Sequence, residues 1–117
     1  MKIKLYETWQ KIFRRNRNLG ENNIDYESAK TILKNDKNAI LVDVRSPQEY
    51  KEGHLNGSIN LPLYDLERDS DKLLQNKQNT IILYCQSGNR SNKAVEILKT
   101  QGCTSLYQIE GGLDNMK

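Results

Sequence analysis

A cysteine set one residue past a buried apolar run is the strongest chemical signal in this 117-residue sequence. Thr80-Ile81-Ile82-Leu83-Tyr84 leads into Cys85, and Gln86-Ser87-Gly88-Asn89-Arg90-Ser91 follows. A strand would deliver the thiol into a short loop, and a helix over residues 90–101 would start on its far side. Gly88 permits positive φ, which lets successive backbone N–H groups point inward. Such a loop, backed by a helix N-terminus, is an anion cradle. It favours the thiolate, which is the nucleophilic form of cysteine. Its larger use is to hold an oxyanionic donor before a transfer and a charged adduct after it. Oriented N–H donors in a water-poor pocket stabilise such charge strongly.

Presenting that loop requires alternating strands and helices. Ala39-Ile40-Leu41-Val42 is a continuous apolar run, the mark of a strand buried on both faces. Ser46-Pro47-Gln48-Glu49 reads as a helix start: Ser46 is the N-cap, Pro47 suits the first helical position, and Glu49 completes a capping box. Gly53 ends that helix. Residues 26–35 predict a helix with Ala29, Ile32 and Leu33 on one face. Residues 58–60 predict a short strand closed by Pro62, and residues 71–75 a helix. In the helix over 90–101, Ala94, Val95, Ile97 and Leu98 form the buried stripe, and Gly102 stops it. Residues 106–109 make a last strand before the Gly111-Gly112 turn. This alternation predicts an α/β domain with a mainly parallel sheet. Ligands on such sheets bind at the carboxyl ends of strands, which is where Cys85 stands.

A chain of this length makes one domain. It has no apolar run near the roughly 18 residues of a membrane span. Its first twenty residues lack the uninterrupted apolar stretch and cleavage site of a signal peptide. The two cysteines, Cys85 and Cys103, sit in a chain with no other mark of a secreted scaffold, so reduced thiols and a cytoplasmic location are expected. One His and two Cys without close spacing predict no metal site, and no motif calls for a cofactor. The net charge is +3, but six basic residues against Glu7 give residues 1–20 a charge of +5, leaving −2 for the rest. A nucleic-acid-binding domain would carry the positive charge on its own surface, so no nucleic-acid partner is expected. Leu5, Trp9, Ile12 and Phe13 fall at i, i+4, i+7 and i+8, one face of a helix. The chain therefore divides into a basic amphipathic leader helix, 1–20, and a domain, 21–117. The leader is expected to pack on protein, its own domain or a second copy in a homodimer, rather than on a membrane surface. Cys103 is expected to be a small apolar filler; a role as resolving thiol for Cys85 stays open.

From about Ile24 onward the chain resembles the rhodanese homology family. Residues 41–50, reading LVDVRSPQEY, and residues 52–62, reading EGHLNGSINLP, look like its first signature. Cys85 to Ser91 looks like its active-site loop, and Glu110-Gly111-Gly112-Leu113 like its C-terminal signature. The resemblance implies a three-layer domain, a mainly parallel five-stranded sheet with helices on both faces, to which the N-terminal helix is added. It implies a ping-pong sulfurtransferase that takes sulfur from a small donor such as thiosulfate. Cys85 carries that sulfur as a persulfide, and a thiol, a protein sulfur acceptor or cyanide receives it. The backbone of Gln86, Ser87, Gly88, Asn89 and Arg90 becomes the persulfide cradle, with Arg90 binding the substrate anion. A non-enzymatic sulfur relay working with a protein partner is the alternative. The loop from Cys85 to Arg90 has the six-residue length of sulfurtransferases, whereas the related cell-cycle phosphatases carry one residue more. Among the other matched residues, Asp43 is expected to hydrogen-bond backbone near the loop. Arg45 and Glu49 are expected to pair across the helix start, and His54 to fix a turn. The family's frequent Trp after the Gly-Gly pair is replaced near that place by Met116.

Overall fold

A computed structural model of the chain describes residues 2–73 and 76–116. Five strands form one sheet in the order β1-β5-β4-β2-β3, with every neighbouring pair parallel. They are β1 (Asn23–Ile24), β2 (Ile40–Asp43), β3 (Ile59–Asn60), β4 (Ile81–Tyr84) and β5 (Leu106–Ile109). The helices are α1 (Lys2–Asn16), α2 (Tyr26–Asn35), α3 (Pro47–Glu52), α4 (Leu66–Leu73) and α5 (Asn89–Thr100).

The apolar runs read as doubly buried strands form the sheet's centre, and all four side chains of β4 are buried. Alternation then sorts them. Ile81 and Leu83 join Val42, Leu66, Ala94, Val95, Leu98 and Leu106 on the face covered by α4 and α5. Ile82 and Tyr84 join Leu41, Ile109, Ala29, Ile32 and Ile12 on the face covered by α1 and α2. The period of two carries on to Cys85, which falls on the α4–α5 face, beneath the start of α5. Tyr84 is wholly buried on the opposite face. Its hydroxyl accepts the Leu55 N–H at 3.0 Å and shares a 3.0 Å bond with Ser58 Oγ. Burial pushes its pKa up to about 12, so it serves as a neutral tie for the segment after α3.

Side-chain caps close several helix ends. Asp25 caps α2 by accepting the Ser28 N–H at 2.8 Å. Ser46 and Glu49 form the reciprocal capping box of α3, with Pro47 inside it. Ile12 of α1 is buried, Trp9 is half-buried against the Tyr107 ring at 5.6 Å, and Phe13 is 59% exposed, off the packed face. Leu5 lies outside the side chains described. At the end of α1, Asn16 donates to Ser28 Oγ at 2.9 Å and accepts the Asp25 N–H at 2.9 Å. Arg15 adds an ion pair to Asp25. The basic helix is thus bonded to the cap of α2.

Two elements depart from the sequence reading. The helix expected at 71–75 starts earlier, at Leu66, after a 3-10 turn over Leu63–Asp65; residues 74 and 75 lie outside the described residues. Among its described side chains the buried anchors, one turn apart, are Leu66 and Ser70, and Ser70 donates to Gln101 Oε1 at 2.5 Å. A polar anchor is invisible to a search for apolar periodicity. Strand β1, two residues long and half polar, carries no strand pattern of its own. Only its pairing with Gln108 and Ile109 of β5 makes it a strand.

Candidate active site

Cys85 is 1% exposed, at the point where β4 gives way to the loop. Its Sγ accepts the Gly88 N–H at 3.0 Å and the Ser91 N–H at 3.4 Å. Gly88 has φ of 103° and stands as the N-cap of α5, so the left-handed turn permitted by glycine is what aims its N–H at the sulfur. The thiol lies 3.5 Å from Ser91 Oγ. Ser87 and Asn89 have exposed side chains and contribute backbone to the loop.

A second segment clamps this loop from the C-terminal side. The Leu113 N–H donates to Cys85 O at 3.0 Å, and the Asp114 N–H to Gln86 O at 2.9 Å. Gln86 answers by donating to Asp114 Oδ1 at 2.6 Å. This closeness explains Gly112, whose φ is 61° and whose added Cβ would stand 2.4 Å from Cys85 O. Met116, near the place where the family often has Trp, packs half-buried against the α1–α2 face.

The charged residues pair differently from the expectation. Glu49 does not meet Arg45. It receives Arg90 Nη1 at 2.6 Å and Nη2 at 2.9 Å, a bidentate pair joining α3 to α5 beside the loop. The Arg90 guanidinium holds the Glu49 carboxyl at about 2, against an ordinary 4.5, with the Ser46 bonds adding to the shift. The Arg90 pKa is raised, chiefly by its hydrogen bonds to the Glu49 carboxylate. Arg45 instead closes on Asp43, two residues back, with Nη2–Oδ2 at 2.8 Å, both side chains being buried. It also donates to Gly53 O at 2.6 Å. Asp43 therefore bonds the backbone N–H of Arg45 rather than backbone of the Cys85 loop. The i, i+4 spacing of Arg45 and Glu49 misled because Arg45 precedes the helix and turns back toward the strand end. His54 donates its Nδ1–H to Tyr50 O, 2.7 Å away, and stacks on the Tyr50 ring, which holds the turn after α3.

Cys103 is buried in the same apolar cluster as Cys85, and burial pushes its thiol pKa up. It precedes β5, whereas Cys85 follows β4, and the two strands are parallel with Ile81 opposite Leu106. Four residues of strand separate the two levels, roughly 13 Å at about 3.3 Å per residue. That exceeds the Cα reach of a disulfide, about 7 Å. Cys103 is filler, not a resolving thiol. Among the described residues, no group of three or more His, Cys, Asp or Glu side chains is placed to hold a metal ion, and no helix is long and apolar enough to cross a membrane.

Sequence reasoning assigned no site role to Ser91, Gln108 or Asp114. Ser91 carries a weak signal: it is a small polar residue one helical turn into α5 on the otherwise apolar stripe. Gln108, in an apolar strand, is a stronger signal, because a buried amide must find partners.

The model of the rhodanese-like domain matches residues 25–117. A sulfurtransferase of Allochromatium vinosum is 30% identical, the alignment covering 79% of this chain and 84% of that protein. The thiosulfate sulfurtransferase PspE of Escherichia coli is 35% identical, over 64% of this chain and 71% of its own length. Other matches are partial: the chain spans 59% of the uncharacterized protein YqhL of Bacillus subtilis, at 38% identity, and 30% of a Buchnera aphidicola tRNA uridine(34) hydroxylase. The solved structure of an E. coli rhodanese with anions is 33% identical, with a TM-score of 0.61 over 67% of this chain and 91% of that one. The fold, the loop geometry and a family match extending over most of the chain agree, and the chain belongs to the rhodanese-like domain family.

Proposed function

We propose that this protein is a sulfurtransferase that moves sulfane sulfur from a thiosulfate-like donor to a thiol or cyanide, through a persulfide on Cys85. The observation that carries this reading is the pair of backbone N–H groups, from Gly88 and Ser91, directed at Cys85 Sγ. In the first half-reaction the Cys85 thiolate attacks the outer sulfur of thiosulfate. An S–S bond forms on Cys85 as the donor's S–S bond breaks, and sulfite leaves with the electron pair. In the second, the acceptor thiolate or cyanide attacks the terminal sulfur, and Cys85 departs as thiolate. The loop amides stabilise the sulfur anion at both stages. Arg90 is held in place by Glu49 and presents its remaining N–H groups to the donor's oxyanion. Two free thiols suit a reducing cytoplasm.

Mass analysis after exposure to thiosulfate should show one added sulfur on the Cys85 peptide, and none in Cys85→Ser. Sulfur on Cys103 instead would overturn the assignment. Arg90→Ala should weaken use of thiosulfate about tenfold more than use of an uncharged donor, through loss of one charge-assisted contact. Equal losses would mean that Arg90 serves only the structure. A second reading is a persulfide carrier loaded by a partner protein. It is favoured by the Glu49–Arg90 pair, which neutralises the cation that a small anionic donor would need. Rapid steady-state turnover with thiosulfate and cyanide supports the enzyme. A single loading event without turnover supports the carrier.

A further inference from the structure

Ser91 Oγ donates to Gln108 Oε1 at 2.5 Å, and Gln108 Nε2 donates to Asn23 Oδ1 at 2.6 Å. Ser91 is wholly buried, Gln108 is 1% exposed, and Asn23 is half-buried on the sheet's edge strand. A line of hydrogen bonds therefore runs from the Cys85 thiol through Ser91 and Gln108 to β1. As drawn, each bond points away from sulfur: the thiol donates to Ser91, Ser91 to Gln108, and Gln108 to Asn23. That direction suits the protonated thiol. A thiolate needs the Ser91 hydrogen turned toward it. The Gln108 oxygen would then face a Ser91 lone pair at hydrogen-bond distance, which is repulsive. An amide can resolve this, since it carries an acceptor on one side and a donor on the other. Half a turn of Gln108 brings Nε2 to Ser91, and a matching turn of Asn23 offers its N–H to Oε1.

We propose that Gln108 is a positioning residue for Cys85: it reverses the hydrogen-bond direction of the Ser91 hydroxyl as the sulfur passes from thiol to thiolate. The thiol proton goes to water, and nothing is transferred along the line; only dipoles turn. The inference rests on Cys85 being the reactive group of the sulfur-transfer reading. Without Gln108, the Ser91 hydrogen keeps one fixed acceptor, Gly88 O at 3.2 Å, and its lone pairs stay against the sulfur. The charged groups around Cys85 are Arg90 on α5, its partner Glu49 on α3, the Asp43–Arg45 pair beyond β2, and Asp114 on the C-terminal clamp. All are left unchanged by the variants below.

The test is the pH dependence of Cys85 alkylation by iodoacetamide, read peptide by peptide so that Cys103 does not contribute. Gln108→Met keeps the length and removes the bonding. Asn23→Asp leaves Ser91 and Gln108 in place but can only accept, which locks the line in the outward direction. Both should raise the midpoint by about one pH unit, a roughly tenfold slower reaction at neutral pH, with the high-pH plateau unchanged. For Asn23→Asp the shift should persist in about 1 M salt, where the field of an added partly exposed charge is screened. Unmoved midpoints, or an Asn23→Asp shift that vanishes in salt, would overturn the proposal. If Gln108→Met fails to fold, Asn23→Asp decides alone. Sulfur uptake by the unaltered protein is measured separately. Its failure overturns the sulfur-transfer reading, while the alkylation profile still reads the hydrogen-bond line.

Discussion

Glu49 performs two tasks with one carboxylate. It closes the capping box of α3 and grips Arg90 at the start of α5. Its carboxyl is held at about 2, against 4.5 when free, chiefly by the Arg90 guanidinium. Because the folded value is the lower one, the stabilisation is fully present above pH 4.5 and is lost as pH falls toward 2. Glu49→Gln lacks this contribution at every pH. The variant should therefore melt below the unchanged protein at neutral pH, and the gap should close between pH 4.5 and 2. Thermal melts across that window check this, and a gap independent of pH would mean that packing rather than charge is lost. The pair is about one third exposed, so the effect is modest.

At the scale of elements, the C-terminal turn holds the chemistry in place without contributing a reactive group. Gly112 occupies φ of 61° with no room for a Cβ against the Cys85 and Gln86 carbonyls. Gly112→Ala must both strain the backbone, by about 1–3 kcal/mol, and push the clamp off the loop. It should lower the melting temperature and cut Cys85 persulfidation more than a comparably destabilising change at Leu98, which is remote from the clamp. Equal uptake in the two variants would show that the loop keeps its shape without the turn. The N-terminal helix is also tied by specific bonds, Asn16 to Ser28 and Asp25, and buries Ile12.

Over the whole molecule, one sheet separates two apolar clusters, and α1 contributes to one of them. The basic leader and the rhodanese-like span should therefore unfold together. Trp9 is the single tryptophan and sits on α1 against Tyr107, so its fluorescence reports that helix. Its denaturation midpoint should coincide with that of far-UV circular dichroism. Ile12→Ala should move both by the equivalent of about 2–4 kcal/mol. An earlier Trp9 transition would show a helix that undocks by itself.

Local pattern alone marks the sheet's central strands, most helix ends and the cysteine proposed here as the nucleophile. These rest on local physics: doubly buried strands must be apolar, Ser46, Pro47 and Glu49 cap from within four residues, and Cys85 with Gly88 lies in one short loop. The partners of the charged residues were decided only by the tertiary structure. Glu49 meets Arg90 forty-one positions away because α3 and α5 both start at the carboxyl end of the sheet, while its neighbour Arg45 turns back to Asp43. Strand β1 and the start of α4 were likewise settled by what they pack on, since a two-residue strand and a serine-anchored helix carry too little pattern of their own. The line from Cys85 through Ser91 and Gln108 to Asn23 joins four elements. No local rule records such a line, because a buried amide takes whatever partners the folded neighbours bring to it.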